Sequence, residues 1–237
     1  VSITSTKESI YNAKQASKNR INTAKEACNR YNITYNGDAA SRFVISDKYK
    51  FMIDIIPKVG SGTMRGIGIK LNPESTITFY RIKMRDMSEF GHYTKIVFFR
   101  DPLERLVSFY YYAVHSTRNT GSGFYEAFLS VLAKQAGSDL KDWLNHNITF
   151  REMAEVIINV GFGDEYVGKA FPQHVNPQYM VSNICSFNAD FIGHLDKLYE
   201  DIQYIFKVVG VTDENIYPAP HVQKGHDRLK DTIKDLP

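Results

Sequence analysis

The sequence is poor in features that would assign it to several large functional classes. It has two cysteines, Cys28 and Cys185, so at most one disulfide can form within the chain. No His, Cys, Asp or Glu cluster has the spacing of a metal site. Lysine and arginine together number 29 against 26 for aspartate and glutamate, and this net charge of +3 is too small to indicate a nucleic-acid-binding protein. We therefore expect neither a metal nor a nucleic-acid partner.

Long apolar runs are also missing. A bilayer-spanning helix needs about 20 consecutive apolar residues, and no segment of this chain approaches that length. Residues 1–10 lack the charged start and the apolar centre of a signal peptide. The sequence as given is therefore expected to be soluble.

The composition that is present suits one domain. The 237 residues are 43% hydrophobic, which is enough to bury a substantial core. The chain contains no internal repeat and no low-complexity tract. We predict a single domain over residues 1–237, with a helical extension at 1–34 and a core at 47–237.

The first informative segment is residues 57–63, which follow an apolar run at 49–56. A lysine and several small residues come directly after that predicted strand, so the backbone can approach an anion at the N-terminus of the next helix. The segment does not fit the Walker A loop, and Arg65 stands where the dinucleotide fingerprint needs its third glycine. Taken alone, the segment could also be an ordinary glycine-rich turn.

The second informative segment is residues 100–108. The apolar run 96–99 predicts a buried strand that brings Arg100 to the edge of a sheet. Pro102 falls in the first turn of the following helix, where its missing N–H costs nothing. Ser108 then lies about two helical turns further on. An arginine and a hydroxyl at this spacing suit a phosphate group.

Predicted strands and helices alternate along the chain. This order indicates an α/β fold with a central parallel sheet and helices on both faces, and a ligand is expected beyond the carboxyl ends of the strands. The predicted strands are 49–56, 76–81 and 95–99. The predicted helices are 7–30, 63–71, 102–114, 124–136, 149–160 and 196–208. We predict loops at 116–123 and 161–180, the second of them beside the acceptor.

The two phosphate segments together resemble the cofactor site of sulfotransferases that use 3′-phosphoadenosine 5′-phosphosulfate (PAPS). Residues 57–63 are similar to the 5′-phosphosulfate loop of that family, and residues 100–108 are similar to its 3′-phosphate motif. The second motif also resembles that of uronyl 2-O-sulfotransferases. A third block follows the order seen in Golgi chondroitin and dermatan 4-O-sulfotransferases: His174, Pro177, Cys185 and residues 190–193. The resemblance covers roughly residues 20–210 and implies a P-loop-like sulfotransferase fold.

The resemblance implies a PAPS-dependent carbohydrate O-sulfotransferase that acts on a hydroxyl of an anionic glycan, such as a glycosaminoglycan. It implies that Lys58 stabilises the leaving oxygen, that His174 is the general base, and that Arg100 and Ser108 bind the 3′-phosphate. No metal is needed for this chemistry. The implied cofactor-binding residues are Lys58, Val59, Gly60, Ser61, Gly62, Thr63, Met64, Arg100 and Ser108.

Several alternatives remain open, because residues 60–64 and Val175 depart from the family pattern. One is a small-molecule sulfotransferase, and another is a catalytically weak glycan-binding protein on the same fold. Other residues could replace His174 as the base, or His174 could be a hydrogen-bonded loop residue. Arg105 could reach the phosphate from the same helix, but it is expected to pair with an acid such as Asp101. The alternative bases are His92, His115 and Glu74.

The resemblance also implies a Golgi luminal location, in a type II membrane glycoprotein whose anchor would precede residue 1. Asn32 and Asn147 begin N-glycosylation sequons, which suits a luminal protein, although two sequons can also arise by chance. The family pattern implies a disulfide between Cys28 and Cys185. Two unpaired core cysteines are the alternative.

Overall fold

The computed structural model describes residues 11–33, 36–74, 79–116, 123–160, 171–218 and 229–232. The strands are β1 (Ala40–Ser46), β2 (Phe51–Asp54), β3 (Tyr80–Lys83), β4 (Thr94–Phe99) and β5 (Phe191–His194). The α-helices are α1 (Ala13–Arg30), α2 (Ser61–Leu71), α3 (Pro102–Tyr110), α4 (Phe124–Ala136), α5 (Phe150–Val160), α6 (Phe171–Val175), α7 (Gln178–Val181), α8 (Ile184–Phe187) and α9 (Leu198–Val208). A π-helical segment, Tyr111–Ser116, continues α3.

The strands form one sheet in the order β3-β1-β2-β4-β5. Strands β2, β4 and β5 are parallel, with Ile96 of β4 opposite both Ile53 and Phe191. Strand β1 is antiparallel to β2 and β3. The α/β prediction is confirmed, but the sheet is mixed, because the unpredicted strand β1 joins β2 through the turn 47–50. So short a connection permits only an antiparallel pair.

Helices cover both faces of the sheet. Side chains alternate along a strand, so Phe51 projects from one face of β2, while Phe43 of β1 shares the opposite face with Asp54. Phe51 packs against Phe206 of α9 with ring centroids 5.4 Å apart. Phe43 packs against Phe187 of α8, also at 5.4 Å. The sheet is therefore buried from both sides, as its near-continuous apolar strands require.

A second apolar cluster lies among α3, α4 and α5. Phe109 is fully buried in it and contacts Phe124 edge-on at 5.6 Å and Phe128 at 6.3 Å. Val107 is also buried. Because buried residues stand on either side of Ser108, this packing fixes the helical face that carries the serine.

Helix α1 covers the free edge of β5. The Ser17 hydroxyl accepts a hydrogen bond from the Ile192 N–H at 2.9 Å, and Arg20 donates to the Ile192 carbonyl at 3.1 Å. Uncovered edge strands offer unpaired backbone groups to other chains, so this cover protects the sheet. Cys28 of α1 and Cys185 of α8 form the expected disulfide, with their Cα atoms 5.6 Å apart.

Most predicted boundaries differ from the observed ones by a few residues. Helix α2 begins two residues earlier than predicted, and the end of the predicted helix 102–114 is π-helical rather than α-helical. The strand predicted at 76–81 overlaps β3 only at residues 80–81, because β3 runs from Tyr80 to Lys83. None of the described helices is both long and apolar enough to cross a membrane. Residues 75–78, 117–122 and 161–170, on which parts of the predicted strand and loops fall, lie outside the described residues.

Candidate functional site

The two sequence motifs meet where the parallel strands end. The carboxyl ends of β2, β4 and β5 lie at one edge of the sheet because these strands are parallel. Lys58 follows β2, and Arg100 directly follows β4. The Arg100 guanidinium donates through Nη1 to the Lys58 carbonyl at 3.3 Å. One hydrogen bond thus joins the two segments that the sequence predicts to bind phosphate.

The loop after β2 is sharply bent. Lys58 has φ 67° and Gly60 has φ 68°, both in the left-handed region. A Cβ atom at Gly60 would lie 3.0 Å from Leu195 Cδ1, which is closer than ordinary packing allows. A side chain at position 60 is therefore disfavoured by both backbone conformation and space. Lys58 adopts the same left-handed conformation although it is not a glycine. Backbone strain of this kind is concentrated at functional sites.

The bend presents the N-terminus of α2. Gly60 is the N-cap and provides no side-chain cap, so the first amides of the helix, those of Ser61, Gly62 and Thr63, have no intrahelical acceptor. A Cβ atom at Gly62 would meet nothing within 4 Å, which means that open space lies beside these amides. Uncapped amides and the helix dipole together favour an anion here.

Val59 and Met64 do not present free amides to this space. The Val59 N–H donates to the Ile56 carbonyl at 3.2 Å, and the Met64 N–H donates to the Gly60 carbonyl at 3.0 Å. Their side chains are 3% and 2% exposed and belong to the core. These two predicted cofactor-binding residues therefore anchor the loop, and the amides at 61–63 are the ones placed to bind a ligand.

An aromatic group lies beneath the predicted catalytic lysine. Lys58 Nζ is 4.4 Å from the ring centroid of Tyr112, a cation–π contact. The ring of His174 stacks on the same Tyr112 at 5.9 Å. Tyr112 is not among the predicted site residues, although it follows the second motif in a run of three tyrosines. The structure brings the two predicted catalytic residues to one aromatic ring.

His174 is packed among aromatic rings. It stacks on Phe109 at 5.0 Å and meets Phe124 edge-on at 5.4 Å. Its Nδ1 atom is buried and has no hydrogen-bond partner in the described part of the chain. Burial, followed by the positive charges of Lys58, Arg105 and Arg42, lowers the pKa of His174 to about 4. The imidazole is therefore neutral at neutral pH, and a neutral imidazole has one nitrogen that can accept a proton.

Arg100 is held in place on both its backbone and its side chain. The Gln178 side chain accepts from the Arg100 N–H at 3.0 Å and donates to the Arg100 carbonyl at 2.7 Å. The guanidinium Nε donates to Glu104 at 3.3 Å, and the arginine side chain is 10% exposed. Ser108 is half-buried two turns along α3. Gln178 is not among the predicted site residues, and its position directly after Pro177 is the one sequence signal for it.

Arg105 does not form the predicted pair with Asp101. Asp101 caps α3 instead, accepting from a first-turn amide at 2.9 Å. Arg105 is 4% exposed and donates to the carbonyls of Pro57 at 3.0 Å, Asn176 at 2.8 Å and Gln173 at 2.8 Å. Burial lowers its pKa to about 10. This arginine ties the loop before Lys58 to the segment that carries His174.

Two of the alternative bases lie away from this edge. His92 packs against Tyr93 in a tilted contact at the amino end of β4, about 20 Å along the strand from its carboxyl end. Glu74 is exposed beyond the C-terminus of α2, whose N-terminus faces the site. The side chain of His115 is outside the described residues. Within the described ranges no three His, Cys, Asp or Glu side chains form a group that could hold a metal ion.

Comparisons with known proteins indicate the family of the chain. The Sulfotransferase family profile matches residues 41–235. Carbohydrate sulfotransferase 11 of Danio rerio is 28% identical over 137 residues, which are 54% of this chain and 36% of that protein. Carbohydrate sulfotransferase 9 of Homo sapiens is 23% identical over 199 residues, 75% of this chain and 43% of that protein. Carbohydrate sulfotransferase 14 of Mus musculus is 23% identical over 195 residues, 74% of this chain and 48% of that protein.

The chain thus spans between 36% and 48% of the length of these curated relatives. No solved structure shows a significant match to it.

Proposed function

The chain belongs to the sulfotransferase family, and we propose that it transfers the sulfuryl group of PAPS to a hydroxyl of a glycan. One observation carries the proposal: an uncapped helix N-terminus beside Lys58 is joined by a hydrogen bond to Arg100, at the carboxyl edge of the parallel strands. The names of the matched relatives, all carbohydrate sulfotransferases, support a carbohydrate acceptor.

The residues present fit the two charged ends of PAPS. The amides of Ser61, Gly62 and Thr63 and the ammonium of Lys58 would hold the 5′-phosphosulfate, in the open space beside Gly62. Arg100 would hold the 3′-phosphate. Its guanidinium carries five N–H donors, so it can bind a phosphate while it keeps contacts with the loop. Ser108 would add a hydroxyl from the same helix.

Catalysis here would depend on placement and charge rather than on covalent chemistry by the protein. When bound, PAPS supplies the sulfuryl group and takes the bonding electrons on its leaving phosphate oxygen. Lys58 stabilises the negative charge on that oxygen, as an ammonium aimed at developing charge does in phosphoryl transfer. The strained backbone and the Tyr112 ring hold Lys58 in place before the reaction begins.

His174 would take the proton of the acceptor hydroxyl. Its pKa of about 4 keeps it neutral and ready to accept a proton, but also makes it a weak base in the free protein. Burial is the main cause of the low pKa, but an anion bound beside Lys58 offsets the positive charges that add to it, so donor binding raises the pKa of His174. The surrounding rings exclude water from the imidazole.

We also propose that the chain works as one catalytic domain in an oxidising compartment, the Golgi lumen, as part of a type II membrane glycoprotein. The disulfide between Cys28 and Cys185 suits such a compartment. The sequon asparagines, Asn32 and Asn147, are both exposed, as glycan attachment requires.

The test is the affinity for two nucleotides that differ by one phosphate. Adenosine 3′,5′-bisphosphate should bind the protein at least tenfold more tightly than adenosine 5′-phosphate. Arg100→Ala should remove most of that difference, since a charge-assisted hydrogen bond contributes about 1.5–3 kcal/mol. Arg151→Ala, at an exposed arginine on α5, is the matched control and should leave both affinities unchanged. Equal affinities for the two nucleotides in the unaltered protein would contradict the 3′-phosphate assignment.

A further inference from the structure

A groove with a volume of about 570 Å³ opens beside the loop that carries Lys58. Pro57 belongs to its wall on the side of the loop, and Gln173 and Asn176, which flank His174 in sequence, belong to its wall on the side of α6. The volume is typical of pockets for small ligands or for one or two units of a longer chain. The groove is therefore lined by the two chain segments that carry the proposed catalytic residues.

The groove offers hydrogen-bonding groups suited to hydroxyls. Asn183 Nδ2 donates to Ser41 Oγ at 3.2 Å, and that hydroxyl donates to the Val181 carbonyl at 3.2 Å. Asn176 Oδ1 is buried without a hydrogen-bond partner in the described part of the chain. A buried acceptor without a donor is costly, and a ligand hydroxyl can supply that donor. Tyr179, 45% exposed, adds an aromatic surface to the lining.

An unusual pair of like charges stands at this groove. Arg42 lines it, and Arg81 on β3 is the direct cross-strand partner of Arg42. Directly opposite residues of an antiparallel pair share a face with Cβ atoms about 5 Å apart, where like charges destabilise the sheet. Both arginines are exposed, and neither forms an ion pair within the described ranges.

Two basic residues near this arginine pair do have an acidic partner. Lys83 and Arg85, a few residues along the chain from Arg81, both form ion pairs with Asp38, at 3.6 Å and 2.7 Å. Among the described residues, no acid forms an ion pair with Arg42 or Arg81. A bound anion would therefore relieve the repulsion between Arg42 and Arg81.

The arginine end of the groove is also close to the proposed base. The charge of Arg42 is one of the causes that lower the pKa of His174, so the guanidinium lies within electrostatic reach of the imidazole. An extended ligand can thus place one hydroxyl at His174 while a neighbouring unit contacts Arg42.

We propose that this groove binds the acceptor glycan and that Arg42, with Arg81 beside it, binds an anionic group, a carboxylate or a sulfate, on a sugar next to the one that is sulfated. This inference rests on the proposed sulfotransferase function and adds the residues that select a charged acceptor over a neutral one. Arginine suits this role because its planar fork pairs with carboxylate and sulfate oxygens in two parallel hydrogen bonds.

The test compares acceptors that differ only in charge: chondroitin sulfate, its carboxyl-reduced form and its desulfated form. Arg42→Gln should lower kcat/KM for the fully charged chain about tenfold or more, mainly through KM, since a charge-assisted hydrogen bond of this kind is worth at least a factor of ten. Arg81→Gln should have a smaller effect in the same direction. The control Arg151→Gln removes an exposed positive charge from α5. It should change kcat/KM by no more than about twofold for any of the acceptors.

The two modified acceptors identify the anionic group. If the effect of Arg42→Gln disappears with the carboxyl-reduced chain, the arginine binds a carboxylate; if it disappears with the desulfated chain, the arginine binds a sulfate. If Arg42→Gln loses kcat/KM equally on all three acceptor chains, or loses none on any of them, the proposal is overturned. Loss of affinity for adenosine 3′,5′-bisphosphate in Arg42→Gln would also overturn it, because the arginine would then act on the donor.

A binding measurement keeps this inference separate from the proposed function. Titration of the same chains into protein saturated with adenosine 3′,5′-bisphosphate should show weaker binding of the charged chain in Arg42→Gln, whether or not turnover is detected. Unaltered protein that sulfates a glycan but binds charged and neutral chains equally would refute the arginine assignment alone. Unaltered protein without any nucleotide affinity would refute the proposed function itself.

Discussion

Arg105 should be among the most sensitive positions in the molecule, although it is not expected to touch the substrates. Its guanidinium is 4% exposed and donates to three carbonyls, those of Pro57, Gln173 and Asn176. The three bonds leave from three different nitrogens, Nε, Nη1 and Nη2. These three hydrogen bonds hold the loop before Lys58 against the segment around His174.

The size of the effect follows from these contacts. Arg105→Leu removes the charge but leaves three desolvated carbonyls, and each unsatisfied buried polar group costs about 1–3 kcal/mol. Two effects reduce this cost: water can enter and hydrogen-bond to the carbonyls, and the protein no longer has to desolvate the arginine. We therefore expect a net loss of about 3–5 kcal/mol in the free energy of unfolding. Arg105→Lys should lose less, since one ammonium can satisfy some but not all of the three carbonyls.

Urea unfolding of Arg105→Leu, Arg105→Lys and the control Arg151→Leu measures these differences. Arg151 is exposed and pairs with Glu155 one helical turn away, so its replacement should cost under about 0.5 kcal/mol. The folded fraction of Arg105→Lys should also show reduced kcat/KM, because the loop and His174 are no longer held together. A loss in Arg105→Leu no larger than that of the control would refute the view that this arginine clamps the site.

Four further predictions concern other contacts of the site and the core. Gly60→Ala should lose about 1–2 kcal/mol of stability in thermal unfolding, because φ is 68° and a Cβ would lie 3.0 Å from a leucine methyl group. Gly62→Ala should instead keep or gain stability and lose affinity for adenosine 3′,5′-bisphosphate, because its methyl group enters the open space beside the helix amides. Cys28→Ser should cost about 4–5 kcal/mol, since the bridge closes a separation of 157 residues, and a reductant should lower the Tm only of the unaltered protein. The pKa of His174 lies at about 4 when folded, below its ordinary value of 6.5, so its neutral form contributes stability above pH 6.5 that is lost as pH falls toward 4. Urea unfolding at pH 7 and pH 5 should therefore show a smaller loss in His174→Gln than in the unaltered protein, and equal losses would contradict the burial of the imidazole.

The sequence allows the two turns at the carboxyl edge of the parallel strands to be predicted because their signals are local. An apolar run, a lysine and small residues define the first, and Arg100 with Pro102 defines the second, all within about ten residues each. The order of strands and helices is likewise sufficient to predict an α/β fold with helices on both faces.

The features that were missed depend on contacts between distant segments. Phe43, Val44 and Ile45 favour a strand at β1, but its place in the sheet depends on pairing with β2 and β3, which the sequence does not reveal. Arg105 was assigned to a nearby acid, but its partners are backbone carbonyls 48, 68 and 71 positions away. Backbone acceptors have no signature in side-chain identity, so such a partner cannot be inferred from the sequence.

Transfer of labelled sulfate from PAPS tests the central claim most directly. The acceptors are desulfated chondroitin, dermatan and heparan chains and a small phenol, and the variant is Lys58→Ala. We predict transfer to at least one glycan, with a loss of about 10²–10³ in kcat in the variant, the size expected when one group that stabilises developing charge is removed. Transfer to the phenol alone would indicate a small-molecule enzyme. Nucleotide binding without transfer to any acceptor would contradict the catalytic role of Lys58 and favour a glycan-binding protein on this fold.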